Sequence, residues 1–536
     1  MGRVSANRTH VTFRPLARCL VVHSTFLRRT ALVLAAFLAL GTPLVASAAG
    51  TPGVPIPSDP RDPFVQGFTG RAATAHPFAA QRVPRNPWMA ANERSNIHSD
   101  AYQTDANNVP GPLGRDPRVT SALLGAECAS VTFDRRGRIV TVCVSPSGAT
   151  LRLIEPRTLA TLGSYELPPR EPGSFSFSNF SGGGYFYLDH LDRAVVSTFT
   201  GHLVVVAERG DGFRKVRDVD LSAVTGGSPI QSALPDWRGR IWFVTVSGVV
   251  GFVNPGNSVR RVHLPAGERI ANSFAMDESG GVFIVSTHAL YRFDVRRGRP
   301  SVTWRKTYDR GSRVKPGQVS QGSGTTPTLI GRASSPGGGS IAITDNADPR
   351  MHVLVFRRGK RGPGRAPLCR RAVFPAGRGD DENSLIAVPG GLVAENNYGY
   401  AGPGPADSST RTADTVPGLA KVAVNFRRGG CRVAWRNTTA RIPTVVSKFS
   451  RRTGLIYAYT HPAASEVPRA GDLPQPLAPD AWFFTAFNAR TGRQVWSTYA
   501  GSGLGHNNNY APVTLGPDGV AYVGTLGGLL RIADTR

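Results

Sequence analysis

Short apolar runs that alternate with polar, glycine-containing turns are the main pattern of this chain, and they are clearest near its carboxyl end. Residues 482–488 and 494–499 are two such runs, and residues 489–493 form a polar turn between them. Further runs follow, separated by Gly-Pro-Asp-Gly at 516–519 and by a Gly-Gly pair at 527–528. Because Gly and Asp tolerate the positive φ that hairpin turns need, this pattern predicts short antiparallel strands joined by tight turns.

A unit of roughly 40 to 60 residues repeats from Glu127 to the carboxyl end, and each unit contains several predicted strands. The unit at residues 269–309 is the cleanest, with an inner strand predicted at 274–277, a turn at 278–281 and a second strand at 282–286. Strand-rich repeats of this length are typical of a propeller. We therefore expect an all-β protein, a closed β-propeller of eight blades, with seven blades as the alternative.

The residues that precede the repeats differ from them in composition. Residues 49–118 are rich in Pro, Asn, Asp and Ala and have no regular apolar period, which favours an extended arm. The last unit has too little chain for four strands, so we expect the arm to supply its outer strand and close the ring. The predicted propeller therefore comprises residues 119–536.

The first 48 residues have the features of an export signal. Arg28 and Arg29 precede an apolar run at 31–40, and the small residues at 45–48 fit a signal-peptidase cleavage site. An uncleaved membrane anchor is the alternative, although the apolar run is short for crossing a bilayer. We expect a protein that is secreted or associated with the cell envelope.

Cysteine usage agrees with export. Of the five cysteines, Cys19 lies in the predicted signal and four remain, an even number for an oxidising compartment. Cys128 and Cys143 lie at opposite ends of a predicted hairpin, so a cross-strand disulfide fits there, and Cys369 with Cys431 is the remaining pair. No spacing of these cysteines resembles a zinc site.

Two stretches near the carboxyl end carry a family resemblance. F-x-A-F-N-A-R-T-G-R-x-V-W at 484–496 and D-G-V-A-Y-V-G-T-L-G-G-L-L at 518–530 resemble the repeats of the quinoprotein alcohol dehydrogenase-like β-propeller superfamily. The resemblance implies a propeller fold and, as an alternative function, a dehydrogenase that depends on pyrroloquinoline quinone (PQQ). Enzymes of that family hold Ca²⁺ beside the quinone with Glu, Asn and Asp side chains, and many place a vicinal disulfide above it. This chain has no adjacent cysteine pair, so PQQ is the alternative cofactor and not the first expectation.

The formal net charge of +27 limits the range of partners. Much of the excess is Arg in predicted turns such as 357–358 and 427–428. Such charge suits adhesion to an anionic cell-envelope surface. No nucleic-acid-reading module is recognisable, so we expect no nucleic-acid partner, and we expect a monomer.

The predicted geometry places a polar set of residues at one end of the central channel. In the unit at 269–309, antiparallel pairing brings the residues before the inner strand and after the second strand out at the same end. Equivalent positions in the other units should converge on this mouth of the channel. The residues that we expect to hold a polar ligand there are Asn272, Ser273, His288, Thr325, Thr326, Glu382, Asn383, Asn396, His506, Asn508 and Asn509.

Carboxylates and amides on the same predicted face also suit a hard cation. Ca²⁺ binds carboxylate and amide oxygens, and its candidate ligands are Asp345, Asp348, Glu382, Glu395 and Asn396. The first expectation is an exported propeller that binds a polar ligand or a cation at its channel mouth, with the catalytic residues, if any, unknown. The alternatives are the PQQ-dependent dehydrogenase and a Ca²⁺-assisted hydrolase of lactones or esters.

Overall fold

The computed structural model describes residues 50–55, 67–400, 402–403, 415–462 and 481–535. The predicted export signal, residues 1–48, lies outside these ranges, as does part of the predicted arm. The described residues belong to one unit, Ser47–Arg536. Within those ranges no helix combines the length and the apolar composition of a membrane span.

Nearly all regular elements are β-strands, and they form eight sheets arranged as the blades of a propeller. The all-β, eight-bladed prediction is therefore confirmed. In seven of the blades, four strands consecutive in the chain pair in order, each antiparallel to the next, with strand 1 innermost. Among the described residues, the helical elements are a single turn at Ser222–Thr225 and 3₁₀ turns at Pro336–Gly338 and Leu504–His506.

The first four blades follow one another along the chain. Blade 1 contains Glu127–Phe133, Ile139–Ser145, Gly148–Ile154 and Thr161–Glu166. Blade 2 contains Tyr187–Leu188, Ala194–Ser197, His202–Arg209 and Gly212–Asp220. Blade 3 contains Ile230–Pro235, Ile241–Thr245, Val249–Val253 and Val259–His263. Blade 4 contains Ala275–Met276, Val282–Val285, Ala289–Arg296 and Arg299–Thr307.

The last four blades complete the ring. Blade 5 contains Thr328–Ile330, Ser340–Thr344, His352–Arg357 and Cys369–Ala372. Blade 6 contains Ile386–Val388, Gly391–Glu395, Leu419–Val424 and Cys431–Asn437. Blade 7 contains Lys448–Ser450, Leu455–Thr460, Ala481–Asn488 and Gln494–Ser502, flanked by Ala106–Asn107 inside and Phe68–Gly70 outside. Blade 8 contains Val513–Leu515, Ala521–Thr525 and Gly528–Asp534.

Blade 8 takes its fourth strand from the amino-terminal side of the chain. Pro117–Leu123 pairs antiparallel with Gly528–Asp534, and Val54–Pro55 pairs outside it. The closing strand starts just before residue 119, the predicted first residue of the propeller. Pairing the two ends of the chain in one blade closes the ring and removes an open edge between the first and last blades.

Local turn chemistry explains why several inner hairpins form where they do. In blade 1, Asp134 Oδ1 accepts the backbone N–H groups of Arg136 and Arg138, both at 2.8 Å, and Gly137 takes a φ of 80°. Asp236 and Asp277 accept two backbone N–H groups in the same way at the start of the corresponding turns in blades 3 and 4. An aspartate that caps its own turn and a glycine at positive φ favour this hairpin locally.

Strand direction divides the turns between two faces of the ring. Because each strand reverses direction, the turns that join strands 1 to 2 and strands 3 to 4 leave every blade at one face, which we call the hairpin face. The turns that join strands 2 to 3, and the connections between blades, lie at the opposite face, which we call the mouth face. Apolar side chains pack between adjacent blades, as Ile386, Phe449 and Val513 do between blades 6, 7 and 8.

Both predicted disulfides are present. Cys128–Cys143 joins the two inner strands of blade 1, whose pairing places these residues opposite each other. Cys369–Cys431 joins the outer strands of blades 5 and 6. The first bond staples a hairpin, whereas the second links two blades.

Candidate functional site

The arm closes the hairpin end of the central channel. The pair Ala106–Asn107 runs parallel to Lys448–Ser450, the inner strand of blade 7, on the side that faces the channel. Other arm residues bond to the channel-facing edges of further blades. The backbone N–H groups of Phe133, Leu188, Met276, Leu329, Ala387 and Phe449 donate to the carbonyl oxygens of Arg94, Ser95, Ala101, Tyr102, Thr104 and Asp105, respectively.

Buried polar groups of the arm hold this floor in place. Asp105 is fully buried, and it bonds to Lys448 Nζ and, at 3.1 Å, to His98 Nδ1. Lys448 Nζ also donates to the carbonyl oxygen of Ile97 at 2.8 Å. The other ring nitrogen of His98 lies 3.5 Å from Ser384 Oγ, on the wall of the cavity above. The floor is therefore charged but internally paired.

A small enclosed cavity lies above the floor. Its volume is about 30 Å³, and it is lined by the inner strand of blade 1, by six of the connections between blades and by the arm. A single water needs roughly 10–15 Å³ by this measure, so the cavity admits one or two small atoms. The polar residues that line it from the blades and their connections are Glu127, Tyr185, Asn272, Thr326, Glu382, Asn383, Ser384, Asn509 and Tyr510.

Three acceptor oxygens around this cavity are buried and have no hydrogen-bond partner among the described residues: Glu127 Oε1, Glu382 Oε2 and Asn383 Oδ1. In Glu127 and Asn383 the other polar atom of the side chain is engaged. Glu127 Oε2 accepts from Asn509 Nδ2 at 3.2 Å, and Asn383 Nδ2 donates to Glu395 Oε2 at 2.9 Å. Leaving a buried acceptor unpaired costs roughly 1–3 kcal/mol. These three oxygens are the acceptors that a donor entering the cavity, a water molecule included, would meet.

Burial also changes the protonation of the carboxyl groups at this end of the channel. Burial raises the pKa of Glu127 to about 8 against the opposing hydrogen bond from Asn509. Burial raises the pKa of Glu382 to about 8 and that of Glu395 to about 7. Asp380 and Asp381 have pKa values raised well above the usual range, first by burial and then by the neighbouring carboxylates. A cation placed here would favour the ionised forms.

A larger apolar pocket opens beside the cavity, between blades 1 and 8. Its volume is about 270 Å³, and its walls include Phe175, Phe177 and Leu504. Glu127, Ala129, Phe180 and Gly184 line both compartments. Among the residues that the structure describes, no Lys, Arg or His side chain lines this outer pocket. Glu127 therefore stands at the boundary between an apolar outer compartment and a polar inner one.

Aromatic residues cover the mouth above the cavity. The ring of Tyr510 packs edge-on against Phe180 and Tyr400, with centroid distances of 5.4 and 5.6 Å. Its hydroxyl donates to the carbonyl oxygen of Gly317 at 2.9 Å. Asn509 and Tyr510 take φ values of 35° and 69°, a strained region for residues with a Cβ. Strained backbone beside a cavity is a common property of ligand sites.

The predicted site residues fall into three groups. Asn272, Thr326, Glu382, Asn383 and Asn509 line the inner cavity. Others lie one layer behind it, where they bond to neighbouring loops or strands: Ser273 to Ser232, Thr325 to Ser323, Asn508 to Thr444, and Glu395 to Asn383 and Ser447. The remaining predicted residues are engaged elsewhere: His288 with Arg310, His506 with Ser502, Asn396 with Asp380, Asp345 with His352 and Asp348 with Ser312.

Several lining residues were not predicted. Glu127 lies at the start of the inner strand of blade 1. In other blades the residues at or before this position were predicted to lie at the mouth, so the same pattern could have identified Glu127. Asp380 and Asp381, which directly precede Glu382, are buried but do not line the cavity. His98 and Tyr185 come from the arm and from the connection between blades 1 and 2, and no sequence pattern marks them.

The cavity can be tested against the two expected cofactors. Ca²⁺ takes six to eight oxygen ligands, whereas three unpartnered oxygens line the cavity. No group of three or more His, Cys, Asp or Glu within the described ranges is placed to hold a metal. An anionic tricyclic quinone does not fit, because the arm fills the floor, the inner cavity is only about 30 Å³, and no cationic side chain among the described residues lines the outer pocket.

Comparison with known proteins assigns no activity to this chain. No family model matches the chain. An uncharacterized protein of Archaeoglobus fulgidus is 26% identical over 375 residues, which are 65% of this chain and 68% of that protein.

The similar solved structures are β-propellers. BamB from Moraxella catarrhalis is 12% identical with a TM-score of 0.45, over 75% of this chain and 95% of BamB. Virginiamycin B lyase from Staphylococcus aureus is 8% identical with a TM-score of 0.37, over 67% of this chain and 96% of the lyase. The WD40 domain of Toxoplasma gondii coronin is 11% identical with a TM-score of 0.38, over 77% of this chain and 94% of the coronin chain. The named functions of these propellers differ from one another.

Proposed function

We propose that this chain is a binding propeller for a small organic amine, with the ammonium group in the inner cavity and the apolar body in the outer pocket. The observation that carries the proposal is the set of three unpartnered acceptor oxygens, on Glu127, Glu382 and Asn383, around one small cavity. A primary ammonium group carries three N–H donors and no acceptor, as the Lys side chain does. It would supply one donor to each oxygen.

The sizes of the two compartments support this division of the ligand. The inner cavity, at about 30 Å³, admits an ammonium nitrogen but not a ring. The outer pocket, at about 270 Å³ and lined by Phe175, Phe177 and Phe180, suits a single aromatic ring or a short alkyl chain. Because the two compartments share a wall at Glu127, one small molecule can occupy both.

Electrostatics favours a cationic head over an anionic or neutral one. The cavity combines Glu127 and Glu382 with Asp380 and Asp381 nearby, and burial raises the pKa of each carboxyl. A bound ammonium ion would stabilise the ionised carboxylates and lower these pKa values. Affinity for the amine should therefore rise with pH between about 7 and 9, until the free amine loses its own proton near pH 10.

Export to the cell envelope is part of the same proposal. The basic, apolar and small-residue regions of residues 1–48 support it, and the two disulfides are consistent with an oxidising compartment. Ca²⁺ is the competing occupant of the cavity, and it would need further ligands from water or from a rearranged loop.

Isothermal titration calorimetry at pH 8.5 with three matched probes tests the proposal. We expect 2-phenylethylamine to bind, 2-phenylethanol to bind at least about tenfold more weakly, and 3-phenylpropionate not to bind, because charge-assisted hydrogen bonds contribute roughly 1.5–3 kcal/mol. Glu127→Gln should weaken amine binding by a similar factor. Glu166→Gln, which changes an exposed carboxyl on the outer strand of the same blade, is the control and should bind as the unaltered protein does.

Two results would contradict this assignment. Equal affinity for the amine and the alcohol would mean that only the apolar part of the ligand contributes to binding. Tight binding of Ca²⁺ with no binding of any amine would assign the cavity to the metal.

A further inference from the structure

Exposed charge is distributed unequally between the two faces of the ring. Among the described turns of the hairpin face, 14 Lys and Arg residues are exposed, against two carboxylates, those of Asp211 and Asp518. Among the described turns and connections of the mouth face, the exposed cations are Arg269, Arg313, Arg350 and Arg378, and the exposed carboxylates are Glu171, Asp309 and Asp348. The basic excess of the exposed turns is therefore concentrated on the hairpin face.

The basic residues of the hairpin face are densest on blades 5 to 7. The turn between strands 3 and 4 of blade 5 adjoins the corresponding turn of blade 6, because Arg357 Nη2 donates to the carbonyl oxygen of Arg427 at 2.8 Å. A groove of about 550 Å³ beside the blade 5 turn is lined by Arg357, Lys360 and Arg361 together with glycine backbone. The exposed cations of this sector include Lys360, Arg361, Arg365, Arg427, Arg428 and Arg493.

These cations differ from the arginines deeper in the turns. Arg138, Arg193 and Arg240 each pair with the aspartate four residues earlier, so their charge is compensated within the fold. None of the six cations just named makes an ion pair with any residue in the described ranges. Their positive charge therefore remains available for an external partner.

Two exposed apolar side chains share the hairpin face on the other side of the ring. Leu191, in the first turn of blade 2, is 53% exposed, and Trp88, which packs edge-on against His190, is 38% exposed. Trp is enriched at the level of lipid headgroups, where its ring spans the boundary between polar and apolar regions. A soluble polyanion would not use these side chains, whereas a bilayer surface would.

We propose that the hairpin face docks on an anionic lipid bilayer. Each basic residue near such a surface is attracted to it within a Debye length, and many cations spread over one face add their attractions. Leu191 and Trp88 would enter the headgroup region. In this orientation the mouth face, with its cavity and pocket, points away from the lipid. The proposal stands on the hairpin face alone and does not depend on the ligand of the mouth.

Vesicle sedimentation with two matched fourfold variants tests the docking surface. The hairpin variant is Lys360→Gln, Arg361→Gln, Arg427→Gln and Arg428→Gln, and the mouth variant changes Arg269, Arg313, Arg350 and Arg378 to Gln. Vesicles are phosphatidylcholine alone or with about 30% phosphatidylglycerol, an anionic lipid. The unaltered protein and the two variants have the same amino-terminal residues. Differences in their vesicle binding are therefore due to the face that was altered.

We expect the unaltered protein to partition onto the anionic vesicles and to leave them at high salt. The hairpin variant should partition at least about tenfold more weakly, and the mouth variant within about twofold of the unaltered protein. Equal losses in the two variants, or equal binding to neutral vesicles, would overturn the proposal. Binding to soluble polyphosphate without binding to anionic vesicles would overturn it too, because the partner would then be a polymer.

Discussion

At the scale of single residues, Glu127 is the group on which the site depends. One of its carboxyl oxygens accepts from Asn509, and the other has no partner among the described residues. Its side chain lies at the wall shared by the outer pocket and the inner cavity. Burial raises its pKa to about 8, so the group exchanges its proton close to neutral pH. A small change of environment can therefore alter its charge.

The raised pKa of Glu127 predicts a pH-dependent contribution to stability. The unfolded chain loses this proton near pH 4.5, whereas the folded protein retains it up to about pH 8. The folded state therefore binds more protons in that window, and the contribution of Glu127 to the free energy of unfolding falls as pH rises from 4.5 to 8. Glu127→Gln should lose less stability between pH 5 and pH 8 than the unaltered protein, by about 2 kcal/mol or more.

Denaturant unfolding at the two pH values, followed by tryptophan fluorescence, measures this difference. The exposed Glu166→Gln variant is the control and should follow the unaltered protein. If the free energy of unfolding depends on pH in the same way in Glu127→Gln and in the unaltered protein, the pKa of Glu127 is not raised by folding.

At the scale of elements, the strands and inner turns could be predicted because their causes are local. Apolar alternation marks each strand, and an aspartate followed by a glycine at positive φ marks hairpins such as 134–138 and 236–240. The path of the arm could not be predicted in the same way. Residues 86–107 have no apolar period, and their hydrogen bonds go to backbone groups of blades far away in the chain. A backbone partner leaves no residue-specific signal in a sequence.

The same distinction explains which parts of the candidate site could be predicted. Glu382, Asn383 and Asn509 lie at the ends of inner strands or just before them, and strand register alone brings them to the mouth. Asp345 and Asp348 sit on the same face but cap neighbouring loops, because short carboxylates often satisfy nearby backbone and side-chain donors. His98 reaches the cavity only because the arm passes through the channel.

The two disulfides make a prediction at this scale because they close loops of different length. Cys369–Cys431 spans 62 residues and joins two blades, whereas Cys128–Cys143 spans 15 residues within one hairpin. In the chain-entropy description the longer loop restricts the unfolded chain more, by about 1 kcal/mol. Replacing Cys369 and Cys431 by Ala should therefore lower the free energy of unfolding further than replacing Cys128 and Cys143.

Denaturant unfolding of the two double variants, with mass spectrometry to verify the remaining disulfide, checks this order. The reverse order would mean that packing of the fully buried Cys128 and Cys143 outweighs loop entropy.

At the scale of the whole molecule, the ring separates two kinds of surface. The hairpin face carries most of the exposed positive charge of the turns, while the mouth face combines a nearly neutral exterior with buried carboxyl groups. The arm forms the partition, because it fills the hairpin end of the channel and leaves the cavity on the mouth side. A protein built in this way can adhere through one face and bind a small ligand at the other.

The number of protons released on binding reports directly whether an ammonium group binds next to the buried carboxyl groups. Titration of 2-phenylethylamine at pH 7.5 in two buffers of different ionisation enthalpy gives the number of protons exchanged. The amine stays protonated at this pH, so any released proton comes from the protein. We expect a net release of about one proton, and a smaller release in Glu127→Gln, in which Glu382 can still ionise. Binding with no proton release, or with uptake, would contradict it.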